Sequence, residues 1–115
     1  MPNETSSNTK GLAAATVAKI SALIDYQNGS VVSREIMKKP GGNVTLFAFD
    51  EGEGLTEHTS PFDALVEILE GAADITVAGE THRVQAGEII LMPAHQPHAL
   101  TAPNRYKMIL TMIKS

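Results

Sequence analysis

Two stretches with the same order of residues constrain this chain more than any other feature. The first runs from Gly52 to Gly71, carries His58 near its start and ends in the apolar run 65–69. The second runs from Gly87 to His98 and repeats the order of glycine, apolar run, proline and histidine. Because glycine and proline interrupt regular structure, each apolar run is predicted to be a short strand bounded by turns.

The chain from residue 31 onward has the pattern of many short strands. Turn residues recur every eight to twelve positions, and no run between them is long enough for the helix that a parallel crossover needs. The predicted strands cover residues 31–38, 44–50, 65–70, 74–77, 81–84, 89–92, 98–101 and 106–113. This spacing predicts an all-β fold, either a sandwich, a jelly roll or a barrel.

The N-terminal part of the chain has a different pattern. Residues 1–10 are polar and predict a frayed tail, whereas residues 12–24 place apolar side chains at helical spacing. The turn-forming residues 27–30 end this segment. We therefore predict a tail with a short helix or arm over residues 1–30, followed by a single β-barrel over residues 31–115.

Length and charge exclude several classes of function. The chain has 115 residues, 43% of them hydrophobic, a formal net charge of −4 and no cysteine. This length predicts one domain, and the absence of a basic stripe argues against nucleic acid as a partner. The net negative charge and the lack of a long apolar run argue against a membrane partner. The lack of cysteine is typical of a cytoplasmic protein and excludes thiolate ligands.

The two stretches resemble the paired motifs of the cupin superfamily. The first motif has a glycine, an H-x-H pair, a glutamate and a closing glycine; the second has a glycine, P-x-G, a histidine and an asparagine. The positions that agree in order and spacing are Gly52, His58, Gly71, Gly87, Pro93 and His98. The resemblance covers roughly residues 44–112 and implies a double-stranded β-helix, that is, a jelly-roll barrel.

Several functional positions depart from the cupin motifs. The resemblance implies a metal site built from two histidines and a glutamate of the first motif and one histidine of the second. His58 and His98 match, whereas the second histidine is replaced by Ser60 and the glutamate by Ala64. In the second motif the glycine is replaced by His95. The chain therefore retains two of the four ligands that the resemblance implies.

His58 and His98 are the predicted metal ligands, and Asp63 and His95 are possible additional ones. The cofactor is then one divalent transition metal, Fe, Mn, Ni or Zn, or none. Because two imidazoles bind nickel and zinc more strongly than iron or manganese, a two-histidine site favours the former. The alternative without metal has both histidines hydrogen-bonded to Ser60 or to the backbone beside an apolar pocket.

The barrel itself predicts a small-molecule ligand. The residues expected to line its pocket are Ser60, Phe47, Phe49, Met92 and Met108. A protein that binds a small molecule, with or without a metal at His58 and His98, is the preferred interpretation. The alternative is a metal-dependent cupin enzyme of the dioxygenase or isomerase type. A homodimer is expected because cupins of this size resemble one another in pairing barrels edge to edge, and because unpaired edge strands must be protected.

Overall fold

The computed structural model describes residues 11–115, and the nine strands among them form two antiparallel sheets. The strands are β1 Val31–Lys39, β2 Gly42–Phe49, β3 Gly54–His58, β4 Phe62–Glu70, β5 Ala72–Val77, β6 Glu80–Gln85, β7 Ile89–Met92, β8 His98–Thr101 and β9 Tyr106–Lys114. The five-stranded sheet has the order β1-β2-β9-β4-β7, and the four-stranded sheet has the order β3-β8-β5-β6. The chain repeatedly crosses between the sheets, so the predicted all-β jelly-roll arrangement is confirmed.

The main hydrophobic core lies between the two sheets. Alternation along each strand sends every second side chain inward, as in β4, where Ala64, Val66 and Ile68 are buried. Phe49 stacks on Tyr106 with ring centroids 4.5 Å apart, and both rings are inaccessible to solvent. Each such side chain stabilises the fold by about 1.5–3 kcal/mol through burial.

Residues 11–30, which precede β1, form an arm and contain no α-helix. Among residues 11–115 the only helical element is a 3-10 turn at Ile20–Ala22, and no helix there is long and apolar enough to cross a membrane. The helical spacing of residues 12–24 is therefore not realised as an α-helix, because so short a helix is marginal without packing and contains several β-branched residues. The polar tail predicted for residues 1–10 lies outside the described residues.

The arm packs on the outer face of the five-stranded sheet. Ile24 is almost fully buried there against Leu46 and Ala48 of β2. A hydrogen bond also holds this segment on the sheet: the Tyr26 hydroxyl donates to the carboxylate of Glu70 at 2.7 Å. The arm therefore covers one end of this face with apolar side chains of its own.

Candidate functional site

His58 and His98 come together across neighbouring strands of the four-stranded sheet. His58 is the last residue of β3 and His98 the first of β8, and the two are paired in the antiparallel register. The register is irregular between Leu55 and His58. Leu55 pairs with Leu100, so regular pairing would place residue 57 opposite His98, but residue 58 lies there instead. This bulge adds one residue to β3 and brings His58, in place of Glu57, opposite the buried His98.

The two imidazole rings face each other through their Nε2 atoms. These atoms are 3.1 Å apart, and the ring centroids are 4.3 Å apart in an edge-to-face arrangement. The Nδ1 of His58 donates to the carbonyl of Thr56 at 2.8 Å, and the Nδ1 of His98 to the carbonyl of Gln96 at 3.2 Å. Because a carbonyl can only accept, each Nδ1 carries the hydrogen and each neutral ring keeps its Nε2 lone pair.

Burial differs between the two rings and lowers the basicity of the buried one. The side chain of His98 is buried, whereas His58 is exposed at the end of its strand. Burial lowers the pKa of His98 below its ordinary value, and the charge of the neighbouring His58 lowers this pKa further. The pair therefore has one ring inside the barrel and one ring that solvent and small solutes can reach.

The facing nitrogens fit two ligands of one metal ion. Two bare Nε2 lone pairs at this distance repel each other. A proton on one of them turns the contact into an N–H···N hydrogen bond, and a metal ion bound by both nitrogens also removes the repulsion. Zinc–imidazole bonds are about 2.0–2.1 Å long, so nitrogens 3.1 Å apart can both bind one ion at an angle of about 95–102°. Within residues 11–115 no group of three or more His, Cys, Asp or Glu is placed to hold an ion. The protein thus offers a two-nitrogen donor set.

The predicted additional ligands lie in a loop contact beside the pair. Asp63 is on the outer side of β4, next to the inward-facing Ala64, and its carboxylate accepts a hydrogen bond from the backbone of Ala94 at 2.9 Å. The backbone N–H of His95 donates to the carbonyl of Ser60 at 2.8 Å, and the side chain of His95 is exposed. Asp63 therefore contacts Ala94, and His95 contacts Ser60, whereas neither makes a hydrogen bond to the histidine pair.

The predicted pocket-lining residues occupy the core. Phe49, Met92 and Met108 are almost completely buried members of the main core, and Phe47 packs against it. The hydroxyl of Ser60 accepts a hydrogen bond from the backbone N–H of Phe62 at 3.0 Å, so it shapes the turn after β3. Of the two partners considered for the histidines, Ser60 or the backbone, the Nδ1 atoms contact the backbone.

Sequence reasoning missed the bulge and a groove near the site, and it did not identify which carbonyls accept from the two rings. The bulge and the two carbonyl acceptors have no residue-type signal, because they depend on backbone geometry. Val77 of β5 pairs with His98 from the other side and lines an open groove of about 820 Å³ between β6 and β7. The groove is also lined by His82, Arg83 and Leu91, so it has a polar and an apolar wall.

Comparisons with known proteins identify the family to which the fold belongs. Residues 45–114 match the family model described as the cupin domain. A conserved protein of unknown function from Streptococcus pyogenes is 35% identical with a TM-score of 0.87, and the match covers 91% of this chain and 92% of that one. No curated protein matches the chain.

Two further solved structures are similar over most of the chain. A cupin superfamily protein from Desulfitobacterium hafniense is 26% identical with a TM-score of 0.85, covering 91% of this chain and 96% of that one. A cupin 2 conserved barrel domain protein from Leptotrichia buccalis is 36% identical with a TM-score of 0.80, covering 82% of this chain and 46% of that one.

Proposed function

Because the chain belongs to the cupin family, we propose that it binds a small molecule at a divalent metal held by His58 and His98. The observation that carries this proposal is the pair of facing Nε2 atoms, 3.1 Å apart, with both Nδ1 atoms bonded to backbone carbonyls. Such carbonyl contacts orient metal-bound imidazoles and select the tautomer that binds metal. The metal-free alternative instead requires a proton on one of the two Nε2 atoms, which then donates to the other.

The two-nitrogen donor set also suggests the kind of ligand. A transition metal with two protein ligands keeps at least two open positions, and the exposed ring of His58 places them toward solvent. A small molecule that chelates through two oxygen atoms would complete the coordination. When bound, the metal would act as a Lewis acid on an oxygen of that molecule. The chain's own contribution is to orient the two rings and to bury one of them.

A metal-dependent enzyme of the dioxygenase or isomerase type is the second candidate. The same solvent-facing side of His58 favours it, since a reaction at the metal also requires open positions. Turnover of a bound chelating molecule by the metal-loaded protein, lost in His58→Ala, would support the enzyme. Binding without turnover across a set of hydroxy and keto acids would support the binding protein.

Metal binding is tested by calorimetric titration of the metal-free protein with Zn²⁺ and Ni²⁺. We expect about one ion per chain. His98→Ala removes a metal ligand. Its metal affinity should therefore fall by more than the roughly 10–100-fold that is lost when only a residue hydrogen-bonded to a metal ligand is removed. His82→Ala is the matched control, because His82 is an exposed histidine on β6 near Glu80. Wild-type affinity in His98→Ala, or no binding by the wild-type protein, would contradict the proposal.

A further inference from the structure

The turn that joins the arm to β1 contains a pair of residues with a chemistry of its own. Residues 27–30 read QNGS, and among the asparagines of the chain only Asn28 is followed by glycine. The backbone nitrogen that follows an asparagine can attack the side-chain amide carbon. A glycine at that position favours the attack because it has no side chain to obstruct it and a freely rotating backbone. Asn28 and Gly29 are both exposed to solvent, so this pair is a candidate site of spontaneous deamidation.

The reaction needs water and no other reactant. First a bond forms between the nitrogen of Gly29 and the Cγ of Asn28, and the bond from Cγ to the side-chain nitrogen breaks. Ammonia leaves with the proton that the Gly29 nitrogen loses. Water then opens the resulting succinimide ring at either carbonyl carbon. One opening gives aspartate, and the other gives isoaspartate, whose main chain contains one additional carbon atom.

The turn restrains both reacting groups through its backbone. The N–H of Ser30 donates to the carbonyl of Gln27 at 3.1 Å, which closes a four-residue turn. Gly29 is the third residue of this turn and has a φ of 67°, as the third residue of a type II turn requires. The closed turn therefore restricts rotation about the bonds that would bring the Gly29 nitrogen to the amide carbon.

The attacking nitrogen is also held by a carboxylate. The N–H of Gly29 donates to Oδ2 of Asp50 at 2.7 Å. Hydrogen bonds from the Arg105 side chain and from the Gly29 backbone lower the pKa of Asp50 to about 2, so the acceptor is charged at neutral pH. The nitrogen becomes a nucleophile only when it loses its proton, and a neighbouring negative charge opposes that loss. Asp50 therefore lowers the reactivity of the attacking group.

The amide under attack is held by Arg105. Its Nη2 donates to Oδ1 of Asn28 at 2.7 Å, and its Nε donates to Oδ1 of Asp50 at 2.7 Å. The guanidinium also lies over the ring of Tyr26, 5.1 Å from the centroid. Because the planar guanidinium presents its donors in a rigid fork, turning the amide toward Gly29 breaks its hydrogen bond to Arg105.

We propose that Asn28 is a deamidation site whose rate is limited by the ion pair of Asp50 and Arg105. The carboxylate restrains the nucleophile and the guanidinium restrains the amide, so both must be released before the ring forms. Asp50 follows β2 and Arg105 precedes the neighbouring strand β9, so the ion pair ties the turn to the five-stranded sheet. Isoaspartate would lengthen the main chain where the arm joins β1. The proposal does not depend on the histidine site.

The test follows the conversion of Asn28 by mass spectrometry while the full-length protein is incubated at slightly alkaline pH. Trypsin releases the peptide that follows Lys19 and ends at Arg34, and Asn28 is the only asparagine in it. The mass gain that accompanies replacement of an amide by an acid should appear in this peptide. Asn28→Gln should abolish the gain, because the longer side chain forms the corresponding ring far more slowly. A gain that persists in Asn28→Gln would show that Asn28 is not the site.

Two variants test the ion pair. Asp50→Ala and Arg105→Met should each accelerate the conversion roughly three- to tenfold, because each removes a charge-assisted hydrogen bond at a partly exposed site. Asp50→Asn keeps an acceptor for the Gly29 N–H without its charge, and its rate should lie between those of Asp50→Ala and the wild-type protein. Arg83→Met is the matched control: it removes the exposed ion pair with Asp74 and should leave the rate unchanged.

The wild-type chain unfolded in guanidinium chloride gives the rate without any restraint. Folded wild-type protein should convert more slowly than this unfolded chain, and both accelerated variants should lie between the two. Circular dichroism verifies that each variant is folded. Equal rates for the folded and unfolded wild-type chain, or wild-type rates in both Asp50→Ala and Arg105→Met, would overturn the proposal. Acceleration by Arg83→Met to the same extent would equally contradict a specific role of Asp50 and Arg105.

Discussion

At the scale of single residues, the tautomers of two histidines decide what the site can do. Each Nδ1 is engaged by a carbonyl of the preceding few residues, so each ring has its Nε2 lone pair available. Sequence spacing identified His58 and His98, because their positions relative to the glycines are local properties of the chain. It could not identify the partners of the rings, since backbone carbonyls occur at every residue.

The lowered pKa of His98 makes stability depend on pH. The unfolded chain binds a proton at residue 98 as the pH falls through the ordinary value of 6.5, whereas the folded chain binds it only at lower pH. The unfolded state then holds more protons, so the free energy of unfolding should decrease as the pH is lowered below about 6.5. The slope of this decrease corresponds to at most one proton per molecule. Urea unfolding of metal-free protein at a series of pH values measures this dependence. His98→Gln should have a shallower slope, and an identical slope would contradict the assignment.

At the scale of elements, irregularities in the strands position the site. The bulge in β3 exchanges Glu57 for His58 on the inner face, and Gly71 allows the chain to pass from β4 of one sheet to β5 of the other. Gly71 has a φ of 77°, and a Cβ at this position would lie 2.0 Å from the carbonyl oxygen of Arg105. The glycine is therefore required by both conformation and space.

A pair of glycine variants separates these two requirements. Gly79 also has a positive φ, of 85°, but a Cβ there would meet no atom within 4 Å. Gly79→Ala should lose about 1–2 kcal/mol for the left-handed conformation alone. Gly71→Ala should lose a further 1–3 kcal/mol or so, because the added methyl group overlaps the backbone of β9. Urea unfolding gives both values, and equal losses would show that the crossover moves to accept the methyl group.

At the scale of the whole molecule, the histidine pair and the exposed apolar side chains of the strands lie in different sheets. The histidines belong to the four-stranded sheet, whereas Met37, Leu65 and Leu91 lie exposed on the five-stranded sheet. The main core separates the two surfaces. Effects of substitutions at such distant sites are normally additive, so metal binding should be independent of substitutions on the outer side of the five-stranded sheet.

This independence is measurable with one variant. Leu65→Arg should bind Zn²⁺ with an affinity within about twofold of the wild-type value, since additivity of distant sites holds to a few tenths of a kcal/mol. Calorimetry of the metal-free variant gives the affinity. Weaker binding by Leu65→Arg would instead mean that this face of the molecule influences the histidine site.

The fold was more predictable than its irregular parts. Glycine and proline marked most of the strands correctly, and the order of the two motifs indicated the jelly roll. Strand β3, Gly54–His58, was missed because only Leu55 among its residues packs against the core. Of the helix or arm predicted before the strands, the arm is what forms, because it gains more by packing Ile24 on the sheet than by forming an isolated helix.

Local sequence patterns were enough to predict the all-β class and most of the turns, and the family resemblance added the two histidines. These features depend on residues close together in the chain, where alternation and turn residues act directly. The tertiary structure was needed to establish that a bulge brings His58 to face His98 and that Asp63 lies on the outer side of its strand. Each of these depends on the register between strands distant in sequence, and register is set by packing of the whole barrel.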